Sequence, residues 1–136
     1  VGIDGEVVDS SMFSAYPLTL VNVWGTFCGP CKAEIPDLVE LAKEYEGRVG
    51  FLGVVSDVYE GSEENLDAAK EIVSTMDVPY PNVLLNQSIQ EDVTRHIMGI
   101  PTTFFVDENG NVVGQLIVGV RSKDVFQSVI DDLLGE

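Results

Sequence analysis

The stretch LTLVNVWGTFCGPCKAEIP, residues 18–36, passes from a strand-like pattern through two cysteines into a helix-like pattern. Its first seven residues, ending at Trp24, are a short apolar run rich in strand formers and predict a buried strand. The next six residues interrupt that run. Apolar side chains then recur at helical spacing over Cys31–Tyr45, which predicts a helix. We therefore expect a buried strand that enters a helix through a loop carrying the first cysteine.

The patterns further along the chain extend this unit into a sheet. Residues 49–55 form a second buried-strand pattern, and because a helix separates it from the first, we expect a parallel pair with a right-handed crossover. Two later strands flank a glycine-containing turn, which predicts an antiparallel hairpin. The full set of later predictions is a loop over 56–62, a helix over 63–76, a strand over 83–85, a helix over 88–96, hairpin strands over 102–106 and 112–118, and a last helix capped by Ser122 and ending near Leu134.

These elements predict one α/β domain over residues 1–136. Its sheet is mixed, with parallel strands early and the antiparallel hairpin late, and helices flank both faces. Residues 1–17 fit an N-terminal edge strand or hairpin extension, with Val7 and Val8 in the strand. Residues 56–82 fit a loop followed by an inserted helix.

Composition and charge exclude several classes of function. Seven basic residues against 23 acidic residues give a formal net charge of −16, which repels nucleic-acid phosphates and anionic lipid headgroups. No apolar run reaches the roughly 18–20 residues that a membrane-spanning helix needs. Because the chain begins at Val1 and not at a methionine, we expect a processed or trimmed chain, from which any export signal or anchor has been removed.

The chain has two cysteines, Cys28 and Cys31. A disulfide across so short a loop restrains the unfolded chain very little, so it is a poor structural staple. A zinc site would need two more ligands, and the chain offers one histidine, His96, and no third cysteine, so we expect no metal. Cys28 falls at the predicted helix N-terminus, where free N–H groups favour a thiolate, and Cys31 follows one turn on. The pair can therefore open a substrate disulfide and close its own, with no other cofactor.

Two motifs far apart in the chain resemble the thioredoxin superfamily. WGTFCGPCKAEIP, residues 24–36, is similar to its active site, and GIPTTF, residues 99–104, is similar to the loop whose cis-proline faces the two cysteines. The closest resemblance is to the TlpA/ResA-like branch and extends over about residues 18–134. It implies a thioredoxin-like fold and an extracytoplasmic location, with tethering through an N-terminal segment missing from this sequence.

The resemblance also assigns roles to individual residues. Cys28 is the attacking thiol and Cys31 the resolving thiol. Pro101 is the cis-proline, and Ile100 offers backbone hydrogen bonds to an extended substrate. The remaining residues assigned to the substrate-binding surface are Trp24, Gly29 and Pro30, of which the Gly-Pro pair is similar to that of reducing thioredoxins.

Glu34 and Asn22 bear on proton transfer. Glu34 lies three residues after Cys31, on the same helix face, where a carboxylate can take the proton from Cys31. In the TlpA/ResA-like branch a glutamate at this position resembles that role. Thioredoxins of the cytosol carry a buried aspartate six residues before the first cysteine, and Asn22, which cannot titrate, stands there instead. The proton-relay role therefore shifts towards Glu34.

The sequence thus predicts a thiol–disulfide oxidoreductase that reduces protein disulfides outside the cytoplasm. The resemblance implies apocytochrome c or other secreted cysteine-containing proteins as substrates and a membrane thiol carrier as electron donor. We expect a monomer that binds no nucleic acid. A peroxidase of the peroxiredoxin type is one alternative, but it sets a threonine or serine three residues before its cysteine, where this chain has Gly25. A non-catalytic docking module with an inert disulfide is the other.

Overall fold

A computed structural model describes residues 2–3, 10–59, 65–85 and 99–135 of the chain. In chain order its elements are a 3-10 helix at Ser10–Ala15, β1 at Leu18–Trp24, α1 at Gly29–Glu44, β2 at Val49–Tyr59, α2 at Leu66–Thr75, β3 at Asn82–Leu85, β4 at Thr102–Asp107, β5 at Val112–Val118 and α3 at Lys123–Leu134.

The described strands form one five-stranded sheet in the order β3-β2-β1-β4-β5. β1 is the central strand: it pairs in parallel with β2 and antiparallel with β4. β2 pairs in parallel with β3, and β4 pairs with β5 as the antiparallel hairpin. The predicted mixed sheet is confirmed. Because β1 is flanked on both sides, its C-terminal end and the loop that follows it lie at the middle of the sheet edge.

Packing on the sheet explains where the helices lie. One face presents side chains such as Leu20 and Phe105, which pack against Leu38 of α1 and against Phe126 and Ile130 of α3. Further along the same face of β1, Trp24 joins a cluster with residues of α1 and α2. The opposite face presents a second apolar set, against which Met12 and Phe13 of the 3-10 helix pack; that set is Val21, Val23, Leu52, Val54, Val83, Phe104 and Val106.

The predicted bounds hold best where the apolar pattern is uninterrupted. β1 and β5 begin and end at the predicted residues, while α1 begins two residues earlier than predicted. The loop predicted over 56–62 is wrong for residues 56–59, because β2 continues to Tyr59, which pairs with Leu85. The polar side chains of Ser56 and Asp57 interrupt the apolar run without ending the strand.

Smaller differences concern helix and strand ends. α2 begins at Leu66 after Asn65, whereas the sequence pattern placed its start at residue 63. β3 gains one residue, Asn82, and β4 gains Asp107. Ser122 is the N-cap residue of α3 as predicted, but its side chain makes no capping hydrogen bond. The predicted helix over 88–96 and the predicted strand through Val7 and Val8 lie outside the described residues. Among the residues that the structure describes, no helix is long and apolar enough to cross a membrane.

Candidate active site

The two cysteines lie where β1 gives way to α1. Cys28 is the N-cap residue of α1, and its Sγ accepts a hydrogen bond from the backbone N–H of Cys31 at 3.2 Å. A disulfide joins the two residues, whose Cα atoms are 5.2 Å apart. Cys31 is only 1% exposed, whereas Cys28 is partly exposed. The pair is therefore asymmetric: Cys28 can be reached from solvent and Cys31 cannot.

Phe27 stands directly before the exposed cysteine and is 80% exposed. Gly29 and Pro30, on the other side of Cys28, are also exposed. A large apolar side chain that stays in water beside a reactive cysteine offers a contact surface to a partner. Phe27 has no role among the sequence predictions, although an aromatic residue in the loop just before the first cysteine is a pattern that could indicate one.

The loop 99–101 is the second component of the site. The peptide bond between Ile100 and Pro101 is cis, as predicted. The side chain of Ile100 lies over Gly25, since a methyl group built on that glycine would be 2.9 Å from Ile100 Cδ1. A backbone hydrogen bond fixes Pro101, because its carbonyl oxygen accepts the N–H of Gly119 at 2.8 Å. The two motifs, far apart in the sequence, are thus brought to one edge of the sheet.

Glu34 lies one turn after Cys31 and is only 1% exposed. Its Oε1 accepts a hydrogen bond from Asn22 Nδ2 at 3.1 Å, and its Oε2 accepts the backbone N–H of Arg121 at 3.1 Å. Asn22 Nδ2 also donates to Thr103 Oγ1 at 3.1 Å. The carboxylate is therefore buried, and each of its oxygens accepts a hydrogen bond.

The burial of Glu34 changes its acid–base behaviour. Removal from water raises the pKa of this carboxyl above its ordinary value, and the negative charge of Asp37 adds to the rise. The hydrogen bonds from Arg121 and Asn22 oppose the rise but do not cancel it. A carboxyl whose pKa is raised in this way takes up a proton more readily near neutral pH, as a general base for a buried thiol must.

Trp24 packs in the core in the same cluster as the cysteines. Its side chain is 2% exposed and lies in one cluster with Cys31, against which Cys28 also packs. Its indole N–H donates to Asn82 Oδ1 at 2.9 Å. A side chain this buried has almost no surface to offer, so the assignment of Trp24 to the substrate-binding surface does not fit the structure.

The site therefore combines a thioredoxin fold, an asymmetric cysteine pair at a helix N-terminus, a cis-proline loop and a buried carboxyl one turn away. These features define a thioredoxin-like protein with a redox-active disulfide. The chain belongs to the Redoxin family, whose sequence model matches residues 1–133.

Individual relatives agree with this class. The chain is 30% identical over 112 residues to "Thioredoxin-like protein YneN" of Bacillus subtilis, covering 82% of this chain and 62% of that protein. It is 28% identical over 113 residues to "Thiol-disulfide oxidoreductase ResA" of a Bacillus cereus strain, covering 83% and 61%. A crystal structure of a thiol:disulfide interchange protein of the thioredoxin family from Chlorobium tepidum TLS matches with a TM-score of 0.79 and 31% identity, over 98% of this chain and 90% of that one.

The similarity to the TlpA/ResA-like branch, inferred from the motifs, is confirmed by these relatives. The alignments with the two Bacillus proteins span about three fifths of the length of each relative.

Proposed function

We propose that this chain is a protein-disulfide reductase that works outside the cytoplasm through a dithiol–disulfide cycle of Cys28 and Cys31. One observation carries the proposal: a solvent-reachable cysteine caps a helix and is bonded to a buried cysteine that has a buried carboxyl one turn away. The helix N-terminus favours the Cys28 thiolate, so the reduced protein has a nucleophile at its surface.

In the first step the Cys28 thiolate attacks one sulfur of a substrate disulfide. A bond forms between that sulfur and Cys28 Sγ, and the other substrate sulfur leaves as a thiolate that takes a proton from water. In the second step Glu34 takes the proton of Cys31, and the new thiolate attacks Cys28 Sγ. The mixed disulfide breaks, the Cys28–Cys31 disulfide forms, and the second substrate sulfur leaves as a thiolate that takes a proton from water, while Glu34 returns its proton to water. The substrate has then gained two electrons and two protons.

The surroundings of Cys28 support a substrate that is a protein. Phe27 and Pro30, which flank Cys28 in the sequence, and Ile100, which lies over Gly25, present exposed apolar surface. The backbone at Ile100–Pro101 is the proposed hydrogen-bonding edge for an extended segment. A shallow rim of this kind binds main chain and a few side chains, which suits many different proteins with disulfides.

The finer proposals rest on the resemblance to the TlpA/ResA-like branch. Apocytochrome c and other secreted cysteine-containing proteins are the proposed substrates, and a membrane thiol carrier is the proposed donor that returns two electrons to the disulfide. The extracytoplasmic location and tethering are proposed on the same ground.

The peroxidase alternative gains no support from the geometry. Gly25 stands where that class needs a hydroxyl residue, and the hydroxyl of the neighbouring Thr26 is bonded to Asp57. The docking-module alternative likewise gains no support from the geometry, because the disulfide lies at a helix N-terminus with the buried carboxyl of Glu34 one turn away.

A trapping experiment tests the proposal. The reduced Cys31→Ala variant, incubated with an oxidised disulfide-containing protein such as insulin, is expected to accumulate a mixed disulfide through Cys28, because no resolving thiol remains. The matched Cys28→Ala variant is expected to trap nothing, since Cys31 is buried. No adduct on Cys31→Ala, together with no reduction of insulin by the wild-type chain, would favour the docking module.

The direction of electron flow has its own measurement. Equilibration of the wild-type chain with glutathione redox buffers, followed by alkylation and mass spectrometry, gives the reduction potential. We expect a value nearer to the thioredoxin value of about −270 mV than to the value of about −120 mV for a strong oxidant. A potential at the oxidising end would contradict the reductase assignment.

A further inference from the structure

Strand β2 extends past the end of its neighbour β1. The last residue pair between them is Trp24 with Val55, and β2 continues for residues 56–59. The loop that follows β1 runs beside this extension. Ser56 Oγ donates to the carbonyl oxygen of Trp24 at 2.9 Å, so the contact between the two segments continues through side chains where the backbone ladder stops.

The next residue of the extension, Asp57, holds the loop more firmly. Its Oδ2 accepts the backbone N–H of Thr26 at 2.9 Å and the hydroxyl of Thr26 at 2.6 Å. Thr26 is 3% exposed, so water competes little for these donors. Two hydrogen bonds to one charged oxygen fix both the backbone and the side chain of Thr26, and bonds to a charged acceptor are stronger than neutral ones.

The hydrogen bonds continue from Thr26 to the reactive cysteine. The N–H of Cys28 donates to the carbonyl oxygen of Gly25 at 3.2 Å, which closes a tight turn with Thr26 and Phe27 at its centre. Cys28 then caps α1, with its carbonyl oxygen accepting the N–H of Lys32 at 3.1 Å. The position of the Cys28 sulfur over the helix N-terminus therefore depends on a turn in which Asp57 holds one of the two central residues, Thr26.

We propose that Asp57 is a positioning residue for Cys28, acting through Thr26 to hold the attacking sulfur over the N-terminus of α1. The inference deepens the proposed reductase function and rests on it. It assigns a role to the β2 extension, which lies outside both sequence motifs.

The other carboxylate oxygen of Asp57 shows that packing alone is a poor explanation for this residue. Oδ1 is buried and has no hydrogen-bond partner among the residues that the structure describes. A buried carboxylate oxygen without a partner is unfavourable, so an apolar residue would suit this position better if only filling were needed. The backbone is also held in place, since Asn65 Nδ2 donates to the carbonyl oxygen of Asp57 at 3.0 Å.

The test measures the thiol of Cys28 in the reduced chain, by the pH dependence of iodoacetamide alkylation with peptide mapping. Asp57→Asn removes the charge and keeps an acceptor oxygen, whereas Asp57→Ala removes both, so their difference isolates positioning from charge. We expect the Cys28 pKa to be higher in Asp57→Ala than in Asp57→Asn by roughly half a unit or more, towards the ordinary thiol value of about 8.5.

Variants of Thr26 provide a second test, measured by the same alkylation of Cys28. Thr26→Val removes the hydroxyl donor at nearly constant shape and is expected to raise the Cys28 pKa, while Thr26→Ser keeps both donors and is expected to match the wild type. Because Asp57 acts through Thr26, the double variant Asp57→Ala/Thr26→Val is expected to shift the pKa no further than Asp57→Ala alone.

Asp67→Ala, at an exposed position in the first turn of α2, is the control for loss of a charge elsewhere. Equal Cys28 pKa values in Asp57→Ala and Asp57→Asn, with no shift in Thr26→Val, would overturn the proposal, as would additive shifts in the double variant. If Asp57→Ala does not fold, Thr26→Val against Thr26→Ser still decides. Alkylation needs no protein substrate, so a chain that failed to reduce disulfides would leave this outcome readable.

Discussion

Asn22 and Glu34, twelve residues apart in sequence, meet in the core through a hydrogen bond of 3.1 Å from the amide nitrogen to the carboxylate. The same amide nitrogen donates to Thr103 on the adjacent strand β4. Asn22 is thus a donor to both neighbours, and its amide does not titrate at ordinary pH, so it cannot act as a general base. In the proposed mechanism the proton of Cys31 therefore goes to the carboxyl of Glu34 on α1 and not to residue 22.

The first prediction concerns Glu34→Gln and the resolving step. With no carboxylate to accept the proton of Cys31, resolution of a mixed disulfide at pH 7 is expected to slow by about 10²-fold, at the lower end of what a general base contributes. The rate is measured in single-turnover experiments from pH 5 to 9. The wild-type rate should rise with pH through the raised pKa of Glu34, and the variant should lack that rise.

Glu71→Gln, at an exposed position of α2, is the matched control and should leave the profile unchanged. Superimposable profiles for Glu34→Gln and wild type would remove Glu34 from the mechanism. The fold should tolerate the variant: the new side chain can accept the Arg121 N–H through its oxygen and donate to Asn22 if that amide flips, with Thr103 then donating to Asn22.

The second prediction links Glu34 to stability. Its pKa is raised in the folded protein, so the folded state holds this proton more tightly than the unfolded state does. The stabilisation is fully present below the unfolded pKa of about 4.3 and is lost as pH rises through the raised folded pKa. Relative to wild type, Glu34→Gln should therefore gain free energy of unfolding as pH rises through this window. Urea denaturation of the oxidised proteins checks it, and a difference independent of pH would contradict it.

The third prediction places a second carboxyl beside the first. In Asn22→Asp the two carboxyl groups lie within hydrogen-bond distance in a buried site, where both cannot ionise cheaply. We expect a loss of about 2–4 kcal/mol in the free energy of unfolding at neutral pH. The pair shares a proton whose pKa is raised above the unfolded values of about 4, so the loss should shrink as pH falls through that raised pKa and be smallest below about 4.

Asn111→Asp, exposed in the hairpin turn, adds the same charge without burial and is the control. A loss in Asn22→Asp that stays constant from acid to neutral pH would show that repulsion between the carboxyls is not its cause.

The fourth prediction concerns Gly53, which lies beneath the bond between Trp24 and Asn82. A methyl group added there would overlap the side-chain amide of Asn82 and lie 3.1 Å from Trp24 Nε1. Gly53→Ala is expected to lower the free energy of unfolding by about 1–3 kcal/mol through overpacking. Gly99→Ala, whose methyl group would meet nothing within 4 Å, is the comparison. Equal stability of the two variants in urea denaturation would show that the Trp24–Asn82 contact can move aside freely.

The sequence alone locates most of the fold because apolar periodicity is a local property. β1 and β5 are bounded by clear changes in hydropathy, and their ends are predicted correctly. The end of β2 is not, since Ser56 and Asp57 are polar for a reason that lies elsewhere in the chain: they bond to Trp24 and Thr26. Where residues of a strand hydrogen-bond to a neighbouring loop, their side chains are polar, and the apolar pattern that predicts the strand is interrupted.

Some residues of the site are likewise predicted from the sequence, and others are not. The cysteines and Pro101 are found from motifs, because their chemistry requires particular residue types at fixed spacing. The partners of Glu34 are not, since one is a backbone N–H at Arg121, 87 residues away, and a backbone group leaves no trace in residue type. Asn82 is not predicted either, because its connection to the site is the hydrogen bond that it accepts from the indole N–H of Trp24.

Trp24 is the single tryptophan of the chain and shares a buried cluster with Cys31, with Cys28 packed against it. A disulfide in contact with an excited indole quenches its fluorescence efficiently, and a pair of thiols does so much less. We therefore expect the emission of Trp24 to be lower in the oxidised protein than in the reduced one. On that expectation, the proposed reduction by a donor and reoxidation by a substrate would be followed in real time, without a dye and without altering either cysteine.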